Sequence, residues 1–92
     1  MLFSENLQLQ PSAESYYYLG LCHQEMKESD KATTLLRDGT TKFPQEALLW
    51  KSLGMLAYEK GDDAAAREAL AEAIRLSPDD SQARFVFERL KK

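Results

Sequence analysis

The sequence predicts an all-α protein, a fragment of an α-solenoid built from antiparallel helix–turn–helix units. Three observations carry that prediction. First, Leu19 and Leu53, Gly20 and Gly54, Ala32 and Ala66, Leu36 and Leu70, and Pro44 and Pro78 are matched residue types at a constant offset of 34. An offset held at so many positions is an internal repeat, and a period of this length points to stacked units. Second, apolar residues recur at helical spacing inside each unit; in the second, Leu49, Trp50, Leu53, Leu56 and Ala57 make one stripe. Third, the stripes are separated by short breaks, Gly61-Asp62-Asp63 within the second unit and Pro44 and Pro78 at the unit ends. Helices joined by so short a turn are antiparallel neighbours.

Taken in order, residues 1–11 form a short amphipathic piece ending Leu7-Gln8-Leu9-Gln10-Pro11, close to Ile74-Arg75-Leu76-Ser77-Pro78. That likeness predicts a remnant helix of a preceding unit, shielding the next one. The spacing from Pro11 to Tyr16 is one residue shorter than from Pro44 to Trp50, so this junction departs from the repeat. The first unit, 13–46, leads with a helix from about Ser12 to Met26. Tyr16, Tyr17 and Tyr18 are successive, and each residue of a helix is turned by about 100° from the last, so one face cannot hold all three. Tyr16 matches Trp50 and is assigned to the packed stripe with Leu19 and Gly20; Tyr17 and Tyr18 point elsewhere, near Leu21.

A second helix is predicted from about Ser29 to Lys42. It carries Thr33, Thr34, Thr40 and Thr41, which are weaker helix formers, and Gly39, which costs about 1 kcal/mol inside a helix. The second unit, 47–80, repeats the plan with better materials. Gly61 suits a left-handed helix end, an aspartate caps the next helix, and Asp63 to Leu76 is rich in alanine. Gly54, Ala66 and Ala73 are small where the two helices meet, so Trp50, Leu53 and Leu70 can pack closely. After Pro78, residues 81–92 form a last helix with Ala83, Phe85, Val86, Phe87 and Leu90 among charged residues. One apolar and one solvated face is what an array end requires.

The order Trp50-x-x-Leu53-Gly54, Gly61-Asp62, Ala66-x-x-x-Leu70-x-x-Ala73 and Ser77-Pro78, with its upstream echo from Tyr16 to Pro44, resembles the tetratricopeptide repeat family. The resemblance covers Ala13 to Asp80. It implies a right-handed superhelix whose leading helices line a concave groove that binds peptides or partner helices. By matched position the groove residues are Tyr17, Tyr18, Leu21, Leu48, Lys51, Ser52, Met55 and Tyr58, with Phe85 and Arg89 from the last helix. The first unit departs from the family pattern at Lys27, where Gly61 stands in the second, at Gly39 in place of alanine, and at His23 in place of tyrosine. Some family members hold a partner's terminal carboxylate with lysine, asparagine and arginine; Tyr17 and Leu21 occupy places that set needs, so such a clamp is not expected.

Composition bounds the reading. Ninety-two residues with 43% apolar content fit one ordered domain. Twelve basic and fifteen acidic residues are interspersed, net −3, which gives no electrostatic case for nucleic acid. No apolar run approaches the roughly 18 residues a membrane span needs. No signal peptide is visible, and Cys22 is alone, so a reducing, cytoplasmic setting is expected. Cys22 and His23 are adjacent and face different ways, and no second His or Cys accompanies them, so His23 is assigned to packing and no metal is expected. Asp62-Asp63 and Asp79-Asp80 precede helices, where carboxylates cap and offset the dipole. No phosphate-binding loop or nucleophile elbow occurs, so neither an enzyme nor a cofactor is expected.

The function expected is a protein-interaction module. Aromatic residues and methionine outside the core stripe favour a binding surface. The rivals are an accessory segment of a larger enzyme, assembly or secretion protein, in which the same groove packs within the parent chain, and a homodimer that buries the groove on itself.

Overall fold

A computed structural model describes residues 12–90, and among them it holds five α-helices and no strand. They are α1 (Ala13–Glu25), α2 (Ser29–Lys42), α3 (Ala47–Lys60), α4 (Asp63–Leu76) and α5 (Ser81–Leu90). The helix proposed for residues 1–11 lies outside the described residues.

The ends of these helices follow from local chemistry. Ser12 Oγ accepts a hydrogen bond from the Ser15 N–H at 3.2 Å and starts α1. Asp62 and Asp80 do the same for α4 and α5, accepting from Ala65 and Ala83 N–H, each at 3.2 Å. α3 ends on Gly61 at φ 85°, and the Asp62 N–H reaches back to the Ala57 carbonyl at 2.9 Å. The first unit builds the same closing turn without glycine. Lys27 takes φ 63°, and the Glu28 N–H reaches the His23 carbonyl at 2.8 Å. Lysine therefore carries the left-handed strain that Gly61 avoids.

α1, α3 and α5 lie side by side in one layer, α1 against α3 and α3 against α5. α2 packs between α1 and α3 behind that layer, and α4 packs between α3 and α5. One core cluster joins Tyr16, Ala32, Leu36, Leu49 and Leu56; another joins Ala57, Ala66, Leu70, Ala83, Val86 and Leu90. Leu36, Leu49, Leu56 and Leu70 are fully buried, each worth about 2 kcal/mol of apolar burial. Tyr16 is 4% exposed, and its hydroxyl donates to Asp38 Oδ2 at 3.1 Å, so the one polar atom it buries is satisfied. Helix contact requires Gly54: a Cβ there would lie 2.6 Å from Leu70 Cγ.

The structure corrects two of the expectations. Leu19 is 48% exposed rather than packed with Tyr16 and Gly20. Its partner at the 34-residue offset, Leu53, is half-buried because α2 lies against α3; no described helix lies against α1 in the same way. Gly39 is also more than a weak point in α2. A Cβ there would lie 3.0 Å from Tyr16 Cβ and 3.3 Å from Leu49 Cδ1, so glycine is what lets α2 meet α1 and α3.

Candidate functional site

The ten residues read as a groove sit on the three helices of one layer. The 34-residue offset arranges them in rows across it: Tyr17, Lys51 and Phe85 in one, Leu21, Met55 and Arg89 in the next. Tyr18 and Ser52 occupy matched places on α1 and α3, Leu48 lies in the first turn of α3, and Tyr58 in its last.

Their environments divide them into two groups. Tyr18, Leu48 and Phe85 are exposed at 60%, 43% and 63%, and these are the accessible apolar residues among the ten. Arg89 is exposed beside Phe85, its guanidinium carbon 5.7 Å from the ring centroid, near enough for a weak cation–π attraction. Tyr17, Leu21, Ser52, Met55 and Tyr58 are half-buried. Tyr17 packs on the cluster around Tyr16, with its ring 5.2 Å from that of Tyr18 in an edge-on arrangement. Met55 and Tyr58 pack on the cluster around Leu70 and Val86. Tyr17, Leu21, Met55 and Tyr58 are thus the partly covered bed from which Tyr18, Leu48 and Phe85 project.

Lys51 is not available as a lone charge. Its Nζ lies 3.1 Å from Asp80 Oδ2, with both side chains only about a fifth exposed (21% and 22%). The pair ties α3 to the start of α5. Burial pushes the Asp80 carboxyl up, but the Ala83 N–H and the Lys51 ammonium outweigh it and hold the group below its ordinary value. At the other end of the layer Gln24 Nε2 donates to Glu59 Oε1 at 3.3 Å and links α1 to α3. Leu21 and these two residues line a shallow cavity of about 570 Å³ beside the α1–α2 turn. Leu21 is the one groove residue that lines any of three surface cavities; the other two lie behind the layer.

The remaining polar candidates make contacts within the fold. His23 Nδ1 lies 2.7 Å from Glu28 Oε1 across the α1–α2 turn, and that bond holds the Glu28 carboxyl below its usual value. Among the described residues no three His, Cys, Asp or Glu side chains gather as a metal site would require. Lys60, exposed at the end of α3, bridges to Asp30 of α2 at 3.1 Å. Asp80 as the partner of Lys51 was invisible in the sequence: the two are 29 residues apart, and no periodicity joins them. Among the described residues no helix is long and apolar enough to cross a membrane.

Comparison with known proteins adds two matches. A family model described as a tetratricopeptide repeat matches residues 47–80, and a second of the same description matches residues 14–45. Together they span most of the chain. No curated protein matches it.

Proposed function

Because the chain belongs to the tetratricopeptide repeat family, whose repeats generally mediate protein–protein interaction, we propose that the layer of α1, α3 and α5 binds a peptide or helix of a partner protein on its open face. The observation that carries this reading is the exposure of Tyr18, Leu48 and Phe85 together on the three helices of that layer. Large apolar side chains left in water cost free energy unless they are covered in use, and exposed apolar patches mark such sites. Binding at protein surfaces concentrates in a few aromatic anchors surrounded by contacts that mainly exclude water. Tyr18 and Phe85 fit the first role, and the half-buried Tyr17, Met55 and Tyr58 fit the second. The Lys51–Asp80 pair leaves the row of Tyr17, Lys51 and Phe85 without an unpaired cation, which favours an apolar segment over a terminal carboxylate.

Panning a random peptide library on the full chain tests this. Enriched peptides should be apolar, and Tyr18→Ala and Phe85→Ala should each weaken their binding by roughly tenfold or more while helix content is unchanged. Peptides that bind both variants as tightly as the parent would place the interaction on another surface.

A further inference from the structure

The layer of α1, α3 and α5 is apolar in its middle and oppositely charged at its two edges. On α1, Glu14 lies one turn before Tyr17 and Glu25 one turn after Leu21, so both carboxylates share the side of those groove residues. Both are exposed, and neither makes an ion pair among the described residues. On α5 the exposed Arg89 lies one turn after Phe85 and touches that ring, but no carboxylate of the described residues pairs with it. Glu88 beside it stands in the register of Gly20 and Gly54, which meet Leu36 and Leu70 behind the layer.

The middle helix adds no net charge between these edges, because Lys51 is held by Asp80 at 3.1 Å. At one corner the acidic edge reaches α3. The cavity of about 570 Å³ that Leu21 lines also takes in Glu25 and Glu59, two carboxylates against the single ammonium of Lys27.

The aromatic anchors alone give a bound segment no sense of direction. Tyr18 stands on α1 and Phe85 on α5, exposed at 60% and 63%, so an apolar segment could lie across them either way round. The charged edges remove that ambiguity. Opposite charges across an interface fix register and exclude wrong partners, and like charges brought together are costly. Resting on the reading of this layer as a binding face, we infer that its partner is a segment with an apolar middle, a basic side chain at one end and an acidic side chain at the other. It lies across the three helices, its base beside Glu14 and Glu25 of α1 and its acid beside Arg89 of α5. Packed helices stand about 8–10 Å apart, so the two edges are about 18 Å apart. The two charges of the partner are therefore separated by about six residues if it is extended, or about twelve if it is helical.

Selection from a random peptide library long enough to span the layer tests this, with the full chain and two charge-reversed forms as baits. On the parent chain, enriched peptides should carry an acidic and a basic residue on either side of the apolar stretch at one of those spacings. On Arg89→Glu, the acidic end should be replaced by a second basic one while the apolar stretch is kept. On Glu14→Lys with Glu25→Lys, the basic end should be replaced by an acidic one. A synthetic peptide selected on the parent should bind Arg89→Glu about tenfold more weakly, and high salt should narrow that gap, since exposed charges are screened. Arg89→Gln should weaken it less than Arg89→Glu. Circular dichroism confirms that each bait is folded. Apolar peptides without charged ends, or the same charges selected on all three baits, would overturn this inference and leave the binding face standing. Peptides indifferent to both Tyr18→Ala and Phe85→Ala, or no enrichment at all, would overturn the two together.

Discussion

Replacing Gly54 by alanine adds one methyl group, and in an isolated helix it would be favourable by about 1 kcal/mol. In this fold the sign reverses. The new Cβ would lie 2.6 Å from Leu70 Cγ, 2.9 Å from Leu70 Cδ2 and 3.2 Å from the Leu70 backbone nitrogen. The side chain can rotate away only into the cluster it already fills, because Leu70 is fully buried. The backbone nitrogen cannot yield without moving α4. Overpacking of this kind costs about 1–3 kcal/mol, and the backbone contact puts Gly54→Ala in the upper part of that range, so about 1–2 kcal/mol of net loss remains after the propensity gain. For a domain of this size each kcal/mol lowers the melting midpoint by about 4–8 °C. The assay is thermal and urea unfolding followed by helical circular dichroism. The decisive comparison is the same substitution in a Leu70→Ala chain, where the two side-chain contacts are gone and only the 3.2 Å approach to the backbone nitrogen remains, so Gly54→Ala should cost clearly less than in the parent; residues in contact are non-additive in this way. A Gly54→Ala chain that melts at or above the parent would refute the reasoning, and so would equal losses in the two backgrounds.

Three further outcomes are expected. Lys27→Gly should stabilise the chain by about 1 kcal/mol, because Lys27 sits at φ 63° where the second unit has Gly61; an unchanged or lower midpoint would mean the lysine stem recovers the strain by packing. Asp80→Ala should cost about 1 kcal/mol through the lost cap of α5 and should free Lys51; since the folded carboxyl is held below its ordinary 3.8, its contribution is complete above that value and is lost as pH falls through the lower folded one. The acid limb of a stability titration should therefore flatten in Asp80→Ala and would exclude this account if it stayed the same. Hydrogen exchange should be faster over α2 than over α4: α2 has no side-chain cap, and Thr33, Thr34 and Thr41 turn their hydroxyls back onto carbonyls four residues earlier. The reverse order would show that burial of Leu36 and Ala32 overrides those local weaknesses.

The helices were legible because their boundaries are written in local chemistry. α2 and α4 run from Ser29 to Lys42 and from Asp63 to Leu76, as the breaks at Pro44, Gly61 and Pro78 and the 34-residue register predict. The close approach at Gly54 was legible too, since small residues were matched across both units. What escaped the sequence depends on a neighbour. Leu19 satisfies the period of the buried stripe and is exposed, because burial at that position comes from the unit before it. Gly39 reads as a defect of α2 until Tyr16 and Leu49 are placed on either side of it. The site divides in the same way. Register selects the helices and rows, but the pairing of Lys51 with Asp80 and the partial covering of Met55 and Tyr58 arise from how α5 settles against α3.

Trp50 has a use of its own. It is the single tryptophan of the chain, it lines the seam that α2 shares with α3 and α4, and its Nε1 donates to the Pro44 carbonyl at 2.9 Å. Its fluorescence therefore reports on that seam. If the two units part before their helices melt, the emission will shift to the red while the far-ultraviolet helical signal persists. The protein thus contains its own optical gauge for how tightly one unit holds the next, with no label attached.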